Sequence, residues 1–191
     1  MKYKLFMIII FLTSSLLVAG EYHVDKSKSN LVKFISDAPL EDFEGVTDKI
    51  DGYIIWSGVE MVSETELYFE VDLNSLDTGI GLRNRHMREN YLETDKYPLT
   101  HFTGKLTDAV KLESDEYEVT AEGQFFIHGV TQNVIIKGTM TPSENGFNIK
   151  SNFITALTDY NIEVPQLMFF KVDEDMKVEL NFYVESVEEK E

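Results

Sequence analysis

The chain contains no cysteine in its 191 residues. Disulfide bonds, zinc–thiolate sites, iron–sulfur clusters and thiol nucleophiles are therefore excluded, because each of them requires a cysteine sulfur. The fold must be held together by side-chain packing and backbone hydrogen bonds alone.

Positive charge is also scarce. The sequence has 17 lysines and arginines against 34 aspartates and glutamates, which gives a formal net charge of −17. This balance argues against nucleic acid as a partner, because nucleic-acid binding depends on basic side chains that neutralise phosphates. The 43% hydrophobic and 12% aromatic content nevertheless predicts a folded protein, and the length fits one domain.

Motifs for catalysis and metal binding are missing. The histidines do not have the spacing of the zinc-binding pair in a metalloprotease helix. The sequence also contains no Gly-x-Ser-x-Gly motif, which would mark the nucleophilic serine of a hydrolase. Carboxylates are so frequent that no two can be chosen as an acid–base pair. We therefore predict no catalytic residue, no metal site, no cofactor and no enzymatic activity. The four histidines, spread along the sequence, are His23, His86, His101 and His128.

A long apolar run lies near the N-terminus. Lys2 and Lys4 precede it, and Val18 and Gly20 suit the recognition positions of a signal-peptidase site. Polar residues interrupt the run, and it is shorter than the ~20 residues of a membrane-spanning helix, so a membrane anchor is the less favoured alternative. We predict a cleavable signal peptide at residues 1–20, a domain at 21–191, and a periplasmic or secreted protein without stable membrane insertion after cleavage.

The dominant pattern after residue 20 is the alternation of apolar and polar residues. In TELYFEVDL, Leu67, Phe69 and Val71 share one face, which is typical of a half-buried strand. About eight such segments with short turns, including HGVTQN and SENG, predict an all-β fold with antiparallel neighbours, either a sandwich or a closed barrel. The other segments are KIDGYIIWSG, HFTGKLTDAV, EYEVTAEGQFFI, NVIIKGTM, GFNIKSNFITAL and MKVELNFYV.

Three stretches carry a resemblance to a known family. SLDTGIGLRNRHMRENYLETDKYP, GQFFIHGVTQNVIIKG and YHVDKSKSNLVKF, in this order and spacing, resemble the YceI-like family of exported, lipocalin-like polyisoprenoid-binding proteins. The resemblance extends from about Tyr22 to Val184. It implies an antiparallel lipocalin-like β-barrel of about eight strands with a short helical crossover. It also implies an apolar tunnel for a long isoprenoid chain, such as a quinone or a prenyl phosphate, without known chemistry on it.

The chain departs from the family pattern at two positions. Members often carry an Arg-Asp pair followed, after one residue, by His-Leu, whereas this chain has Asn84 in place of the aspartate and Met87 in place of the leucine. Any role that depends on a carboxylate at position 84 is therefore in doubt.

Large apolar residues on the inward faces are candidates for the tunnel lining. They can equally be ordinary core, because a filled barrel requires no ligand. A flexible lining is favoured by the abundance of phenylalanine and methionine, with 13 Phe and 7 Met in the chain. The candidate lining residues are Phe69, Phe125, Ile127, Leu180 and Phe182.

A cluster of basic residues interrupts the strand pattern at LRNRHMREN. Arg83, Arg85, His86 and Arg88 are candidates for binding a phosphate or pyrophosphate head group, because arginine can grip such a group with two parallel hydrogen bonds. The alternative is that these side chains pair with nearby carboxylates and fix the crossover to the barrel wall. Exposed ion pairs of that kind contribute ~0–1 kcal/mol each.

One apolar stretch of the sequence has four alternative interpretations. The apolar stretch in PQLMFF, residues 165–170, is a tunnel lip, a membrane-touching tip, a dimer contact or plain packing.

The predicted function is non-enzymatic binding, storage or transport of an isoprenoid lipid, with a homodimer as one possible assembly. The alternative function is a structural or interaction protein whose filled barrel engages another envelope protein.

Overall fold

The computed structural model describes residues 20–37, 42–57, 61–62, 64–167 and 170–187. Strands dominate this part of the chain. The strands are β1 (Gly20–Val24), β2 (Leu31–Ser36), β3 (Phe43–Thr47), β4 (Ile50–Trp56), β5 (Thr65–Asp72), β6 (Leu99–Lys111), β7 (Tyr117–Ile127), β8 (Val130–Ser143), β9 (Gly146–Ala156), β10 (Gln166–Leu167), β11 (Phe170–Lys171) and β12 (Asp175–Ser186).

Eight of these strands form a closed antiparallel barrel. The order is β1-β4-β5-β6-β7-β8-β9-β12, and the pairing of β1 with β12 closes the sheet. The predicted all-β barrel of about eight strands is confirmed. Closure leaves no free edge where it is complete, so backbone groups there pair within the barrel.

Where the barrel closes, strand β12 pairs with β9 along one edge and with two different strands, β1 and β2, along the other edge. The C-terminal part of β12 pairs with β1, for example Val184 with Val24, whereas its N-terminal part pairs with β2, for example Met176 with Ser36. Strand β3 then pairs with β2. One end of the barrel wall is therefore extended by the β2–β3 hairpin.

A helical crossover joins β5 to β6 and confirms the predicted short helical segment. It consists of a 3-10 turn (Leu73–Ser75), helix α1 (Gly81–His86) and a π-helical turn (Met87–Tyr91). Two backbone hydrogen bonds of 2.9 Å between Val46 and Asp77 attach the crossover to β3. The crossover thus closes over the end of the barrel that carries the β2–β3 hairpin.

The hairpin between β7 and β8 is tighter than the HGVTQN stretch predicts. His128 and Gly129 alone form the turn, with φ of 53° and 78°. Positive φ at both central residues is what the right-handed twist of a two-residue hairpin requires. The residues after Gly129 already belong to β8.

The interior is divided between two ends. At the packed end, buried side chains fill the barrel, and Trp56, Met140, Phe182 and Val184 are each 1–2% exposed. Each large apolar side chain buried there contributes about 1.5–3 kcal/mol. The other end holds a cavity of about 770 Å³ and is called the cavity end. A smaller buried cluster there joins the crossover to the segment after β9 and consists of Leu73, Leu76, Leu92, Tyr160 and Ile162.

The N-terminal region is described only from Gly20 onwards, so the predicted signal peptide lies outside the described residues except for that glycine, which begins β1 opposite Trp56. Within the described ranges, no helix is both long enough and apolar enough to cross a membrane.

Candidate functional site

A cavity of about 770 Å³ occupies the end of the barrel beneath the crossover. Ligand sites in proteins typically measure about 300–1,000 Å³ and are lined mainly by apolar side chains. The walls here are of that kind, and their apolar residues come from β2, β3, β5, β7, β12, the crossover and the segment between β9 and β12. The apolar lining residues are Val32, Phe34, Phe43, Val71, Leu73, Leu76, Ile80, Leu82, Met87, Leu92, Phe125, Ile127, Leu157, Ile162, Pro165, Val172, Met176 and Val178.

The cavity reaches the surface at the crossover. Ile80 and Leu82 line the cavity and are 52% and 56% exposed. These two residues, just before and within α1, form the mouth.

Few polar groups face the cavity, and several of them already have partners. Thr100 Oγ1 donates a 2.6 Å hydrogen bond to the Phe126 carbonyl. The Lys33 ammonium lies 2.6 Å from Glu179, and this hydrogen bond raises the pKa of Lys33. Because the ammonium group of Lys33 is paired with Glu179, Lys33 contributes its aliphatic carbon atoms to the cavity wall, and the interior remains mostly apolar.

The Arg83 side chain lines the cavity and is held in place by hydrogen bonds to Thr78. Its Nε donates to Thr78 Oγ1 at 2.9 Å, and its Nη2 donates to the Thr78 carbonyl at 2.6 Å. The guanidinium carbon lies 4.6 Å from the centre of the Phe43 ring, a cation–π contact that spans the crossover and β3. Arg83 therefore ties the crossover to the β2–β3 hairpin across the cavity mouth.

Asn84 connects the same network to Asp77. Its Oδ1 accepts from the Thr78 backbone N–H at 2.8 Å and from Thr78 Oγ1 at 2.6 Å, while its Nδ2 donates to Asp77 Oδ1 at 2.7 Å. The hydrogen bond from Asn84 is the main cause that lowers the pKa of Asp77, and the Gly79 N–H adds to it. An aspartate at position 84 could accept from Thr78 but could not donate to Asp77. The departure from the family pattern therefore has a structural reason in this chain.

The remaining residues of the basic cluster differ in their surroundings. Arg88 Nη1 donates to the Asn74 carbonyl at 3.0 Å, which fastens the crossover to the 3-10 turn. Arg85 and His86 are exposed, and His86 also lines the cavity. Arg83, Arg85 and Arg88 are the only arginines in the sequence, and none of them forms an ion pair within the described residues. The bracing contacts of Arg83 and Arg88 are to carbonyl and hydroxyl oxygens instead.

The predicted tunnel residues separate into two groups. Phe125 and Ile127, near the C-terminal end of β7, line the cavity. Phe69, Leu180 and Phe182 belong to the packed end, where the Phe69 and Phe182 rings meet edge to face with centroids 5.0 Å apart. The PQLMFF stretch is described in part. Pro165 lines the cavity, and residues 168–169 lie outside the described residues.

Of the crossover residues that line the cavity, Arg83 and His86 were predicted from the cluster of basic residues, whereas Leu82, Met87 and Tyr91 were not. Arg83, Met87 and Tyr91 recur at intervals of four, as do Leu82 and His86, and all five line the cavity. This spacing places side chains on one face of a helix, so a helical period within LRNRHMRENY was the signal that could have identified Leu82, Met87 and Tyr91.

A second contact secures the far end of the crossover. The His128 ring approaches Glu93 Oε2 through Nε2 and the Tyr160 carbonyl through Nδ1, both at 3.1 Å. Lys96 hydrogen-bonds the same glutamate, and this contact, followed by that of His128, lowers the pKa of Glu93. His128 therefore joins the crossover, the β7–β8 turn and the segment after β9. No group of three or more histidines and carboxylates in the described part of the chain could hold a metal ion.

Comparisons with known proteins agree with this architecture. BcnA of Burkholderia cenocepacia shares 16% identity over 84% of this chain and 98% of its own, with a TM-score of 0.69. A polyisoprenoid-binding domain from Saccharophagus degradans, implicated in plant cell wall breakdown, shares 19% identity over 87% of this chain and 98% of its own, also with a TM-score of 0.69. The YceI protein of Campylobacter jejuni shares 15% identity over 76% of this chain and 85% of its own, with a TM-score of 0.57. At these identities the likeness concerns the fold.

No curated protein matches the chain. The sequence model of the YceI-like domain family matches residues 22–184, which include nearly the whole of the barrel and its crossover. The chain therefore belongs to the YceI-like domain family.

Proposed function

We propose that the protein binds, stores or transports a long-chain isoprenoid lipid, a quinone or a prenyl phosphate, in the cavity beneath the crossover. The observation that carries this proposal is the apolar cavity of about 770 Å³ with a mouth at the surface. The Saccharophagus degradans relative, which is named for polyisoprenoid binding, supports the choice of ligand class.

The lining suits a branched hydrocarbon chain. Burial of each CH₂ group contributes ~0.8 kcal/mol, so several isoprene units offset the cost of immobilising a flexible chain. Met87 and Met176 are on the wall and can adapt to the methyl branches, because the unbranched methionine side chain takes many conformations.

In this proposal the basic cluster binds the head group. Arg83 and His86 line the cavity and Arg85 is exposed beside them. Arg83 already uses Nε and Nη2 to bind Thr78, which leaves Nη1 for a ligand. A phosphate at the mouth would meet Arg85, His86 and the free nitrogen of Arg83, with Arg88 beneath them as a brace.

We propose that the bound lipid is not chemically transformed. Among the residues that the structure describes, the lining includes one lysine, one arginine and one histidine but no carboxylate. General acid–base or nucleophilic catalysis needs a base and its orienting partner in hydrogen-bond reach of the substrate. The ligand is therefore carried or stored unchanged.

The alternative of a completely filled barrel is not favoured. It describes the packed end well, but the cavity end holds space that close packing would remove.

The test is lipid uptake measured by native mass spectrometry, followed by extraction and identification of the bound lipid. Val178→Trp places a large ring in the cavity and should reduce uptake of a quinone by at least ~10-fold, whereas Val110→Trp on the outer wall, where Val110 is 49% exposed, should leave uptake unchanged. Equal uptake by both variants, with the fold intact, would reject the cavity as the binding site.

A further inference from the structure

The cavity mouth carries exposed apolar side chains. Ile80 and Leu82 are 52% and 56% exposed, lie two residues apart and continue the apolar lining outwards. Other exposed large apolar residues, such as Ile135 and Ile154, are on barrel strands and do not line the cavity. Exposed apolar side chains that adjoin a binding cavity are typical of a surface that meets an apolar partner.

Positive charge surrounds this apolar pair. Leu82, Arg85 and His86 lie three and four residues apart in α1, so they share one face of the helix. Arg85 and His86 are exposed. All the arginines of a chain with a net charge of −17 lie in this segment.

The carboxylates of the same segment cancel this charge only in part. Between residues 77 and 91 the acidic side chains are Asp77 and Glu89. Asp77 accepts hydrogen bonds from Asn84 Nδ2 and the Gly79 N–H, which favour its charged form, and Arg88 attracts it, so its negative charge remains. Glu89 is exposed beside Arg85 and Arg88, so the three arginines of the segment exceed its two carboxylates by one positive charge when His86 is counted as neutral.

Helix α1 is fixed in position while one of its faces stays exposed. Neither α1 nor the π-helical turn that follows it buries a residue completely, although Met87 and Tyr91 pack against the buried cluster of this end. Arg83 and Arg88 fasten the segment from below, through Thr78 and Asn74. The face formed by Ile80, Leu82, Arg85 and His86, which we call the docking face, is therefore fixed in position by these contacts while its side chains remain exposed.

We propose that the docking face binds an anionic lipid surface. Ile80 and Leu82 enter the boundary between head groups and acyl chains, and Arg85 and His86 contact the lipid phosphates. Apolar side chains combined with cations on one helix face bind such interfaces through burial and charge together. The mouth then opens directly onto the lipid, and an isoprenoid chain can pass into the cavity without crossing water.

The acidic barrel is compatible with this arrangement. Charges are screened over about 8 Å at physiological salt, so carboxylates on the distant barrel wall are weakly repelled while the docking face is in contact. The excess of negative charge elsewhere also orients the molecule with its cationic segment towards the membrane. The passage of an isoprenoid chain from the membrane into the cavity rests on the proposed function, whereas docking on the membrane does not, because docking requires no bound ligand.

The experiment measures partition onto vesicles of equimolar phosphatidylglycerol and phosphatidylethanolamine, with phosphatidylcholine vesicles for comparison. The wild-type chain should bind the anionic vesicles and lose binding as salt is raised. The double variant Ile80→Asp/Leu82→Asp should reduce partition by at least ~10-fold. Arg85→Gln should reduce it by about fivefold, the equivalent of one interfacial arginine.

Matched controls separate docking from general charge effects. Ile135→Asp/Ile154→Asp adds the same two charges at residues that are 65% and 63% exposed on the barrel wall, and it should keep most of the binding. Lys105→Gln removes an exposed wall cation and should do the same. Equal losses in the two Asp pairs would overturn the proposal.

Three other outcomes would also overturn the proposal. The first is no partition of the wild-type chain onto anionic vesicles, and the second is equal partition onto phosphatidylcholine. The third is a wild-type dimer that Ile80→Asp/Leu82→Asp converts to monomer without any vesicle binding, which would make the face a contact between copies. Val178→Trp, with its cavity filled, should still bind vesicles, so failure of lipid uptake and failure of docking are distinguished.

Discussion

The two ends of the barrel are built from the same strands but differ in what fills them. Strand β7 contributes Val119 to the packed end and Phe125 to the cavity end, and β12 contributes Phe182 and Val178 in the same way. At the packed end, all the surrounding strands pair in one closed ring. At the cavity end, β2, β3 and the crossover replace part of that ring. The cavity therefore results from the change in wall construction and not from a change in the type of residue that faces inwards.

The difference also separates stability from function. Close packing at one end can hold the fold, so the other end is free to keep empty space and exposed apolar side chains that would otherwise destabilise it. The crossover is fixed at the cavity end by polar contacts, chiefly those of Arg83, Asn84, Arg88 and His128. Hydrogen bonds of this kind fix a position without filling the space beneath it.

The largest expected effect compares the two phenylalanines. Phe182→Ala should lower the free energy of unfolding by about 3–5 kcal/mol, because it leaves a cavity in a filled core. Phe125→Ala should cost clearly less, because Phe125 already borders empty space and loses fewer contacts. Urea unfolding of both variants measures the difference. Equal losses would show that the cavity end is as tightly packed as the other.

A ligand measurement sharpens the comparison at the cavity mouth. Arg85→Gln should weaken binding of a prenyl phosphate by about tenfold, because a charged hydrogen bond contributes about 1.5–3 kcal/mol. Binding of a neutral quinone should barely change. Titration calorimetry with both ligands makes the test, and Lys137→Gln on the outer wall is the matched control. Parallel losses for both ligands would indicate structural damage and not head-group recognition.

A smaller effect concerns the polar network that holds the crossover. Asn84→Asp should lower Tm by about 2–4 °C, because it removes the donor to Asp77 and places two carboxylates in contact. Adding Asp77→Asn should restore much of the loss, since the amide introduced at position 77 can donate to the carboxylate introduced at position 84. Thermal unfolding of the single and double variants decides the point. If the double variant is less stable than Asn84→Asp alone, this hydrogen bond does not account for the effect.

The barrel itself followed from the sequence, because the alternation of apolar and polar residues is a local property of each strand. The alternation in TELYFEVDL correctly placed Leu67 and Val71 on the buried face. It could not distinguish Phe125 from Phe182, because both satisfy the same period and the empty space beside Phe125 depends on strands distant in sequence.

The candidate site was predictable only in part. The density of arginines identified the crossover as a special segment, but the partners of those arginines were not predictable. Arg83 and Asn84 both contact Thr78, and this requires the helical turn that brings residues five and six positions apart together. The contact between His128 and Glu93 joins residues 35 positions apart, and no local pattern indicates it.

The smallest expected effect concerns the outer wall beside the packed end. The hydrogen bond from the Tyr68 hydroxyl to Glu70 is the main cause that raises the pKa of Tyr68 to about 12. Because this folded-state pKa lies above the unfolded value of about 10, the contribution of Tyr68 to stability is complete below pH ~10 and is lost as the pH rises towards 12. Glu70→Gln should bring the pKa of Tyr68 back towards 10, which tyrosinate absorbance during a pH titration can follow. A titration unchanged by Glu70→Gln would show that Glu70 is not the cause of the shift. Because the side chain of Tyr68 is on the outside of the barrel, the same substitution should leave lipid uptake at the cavity end unaltered.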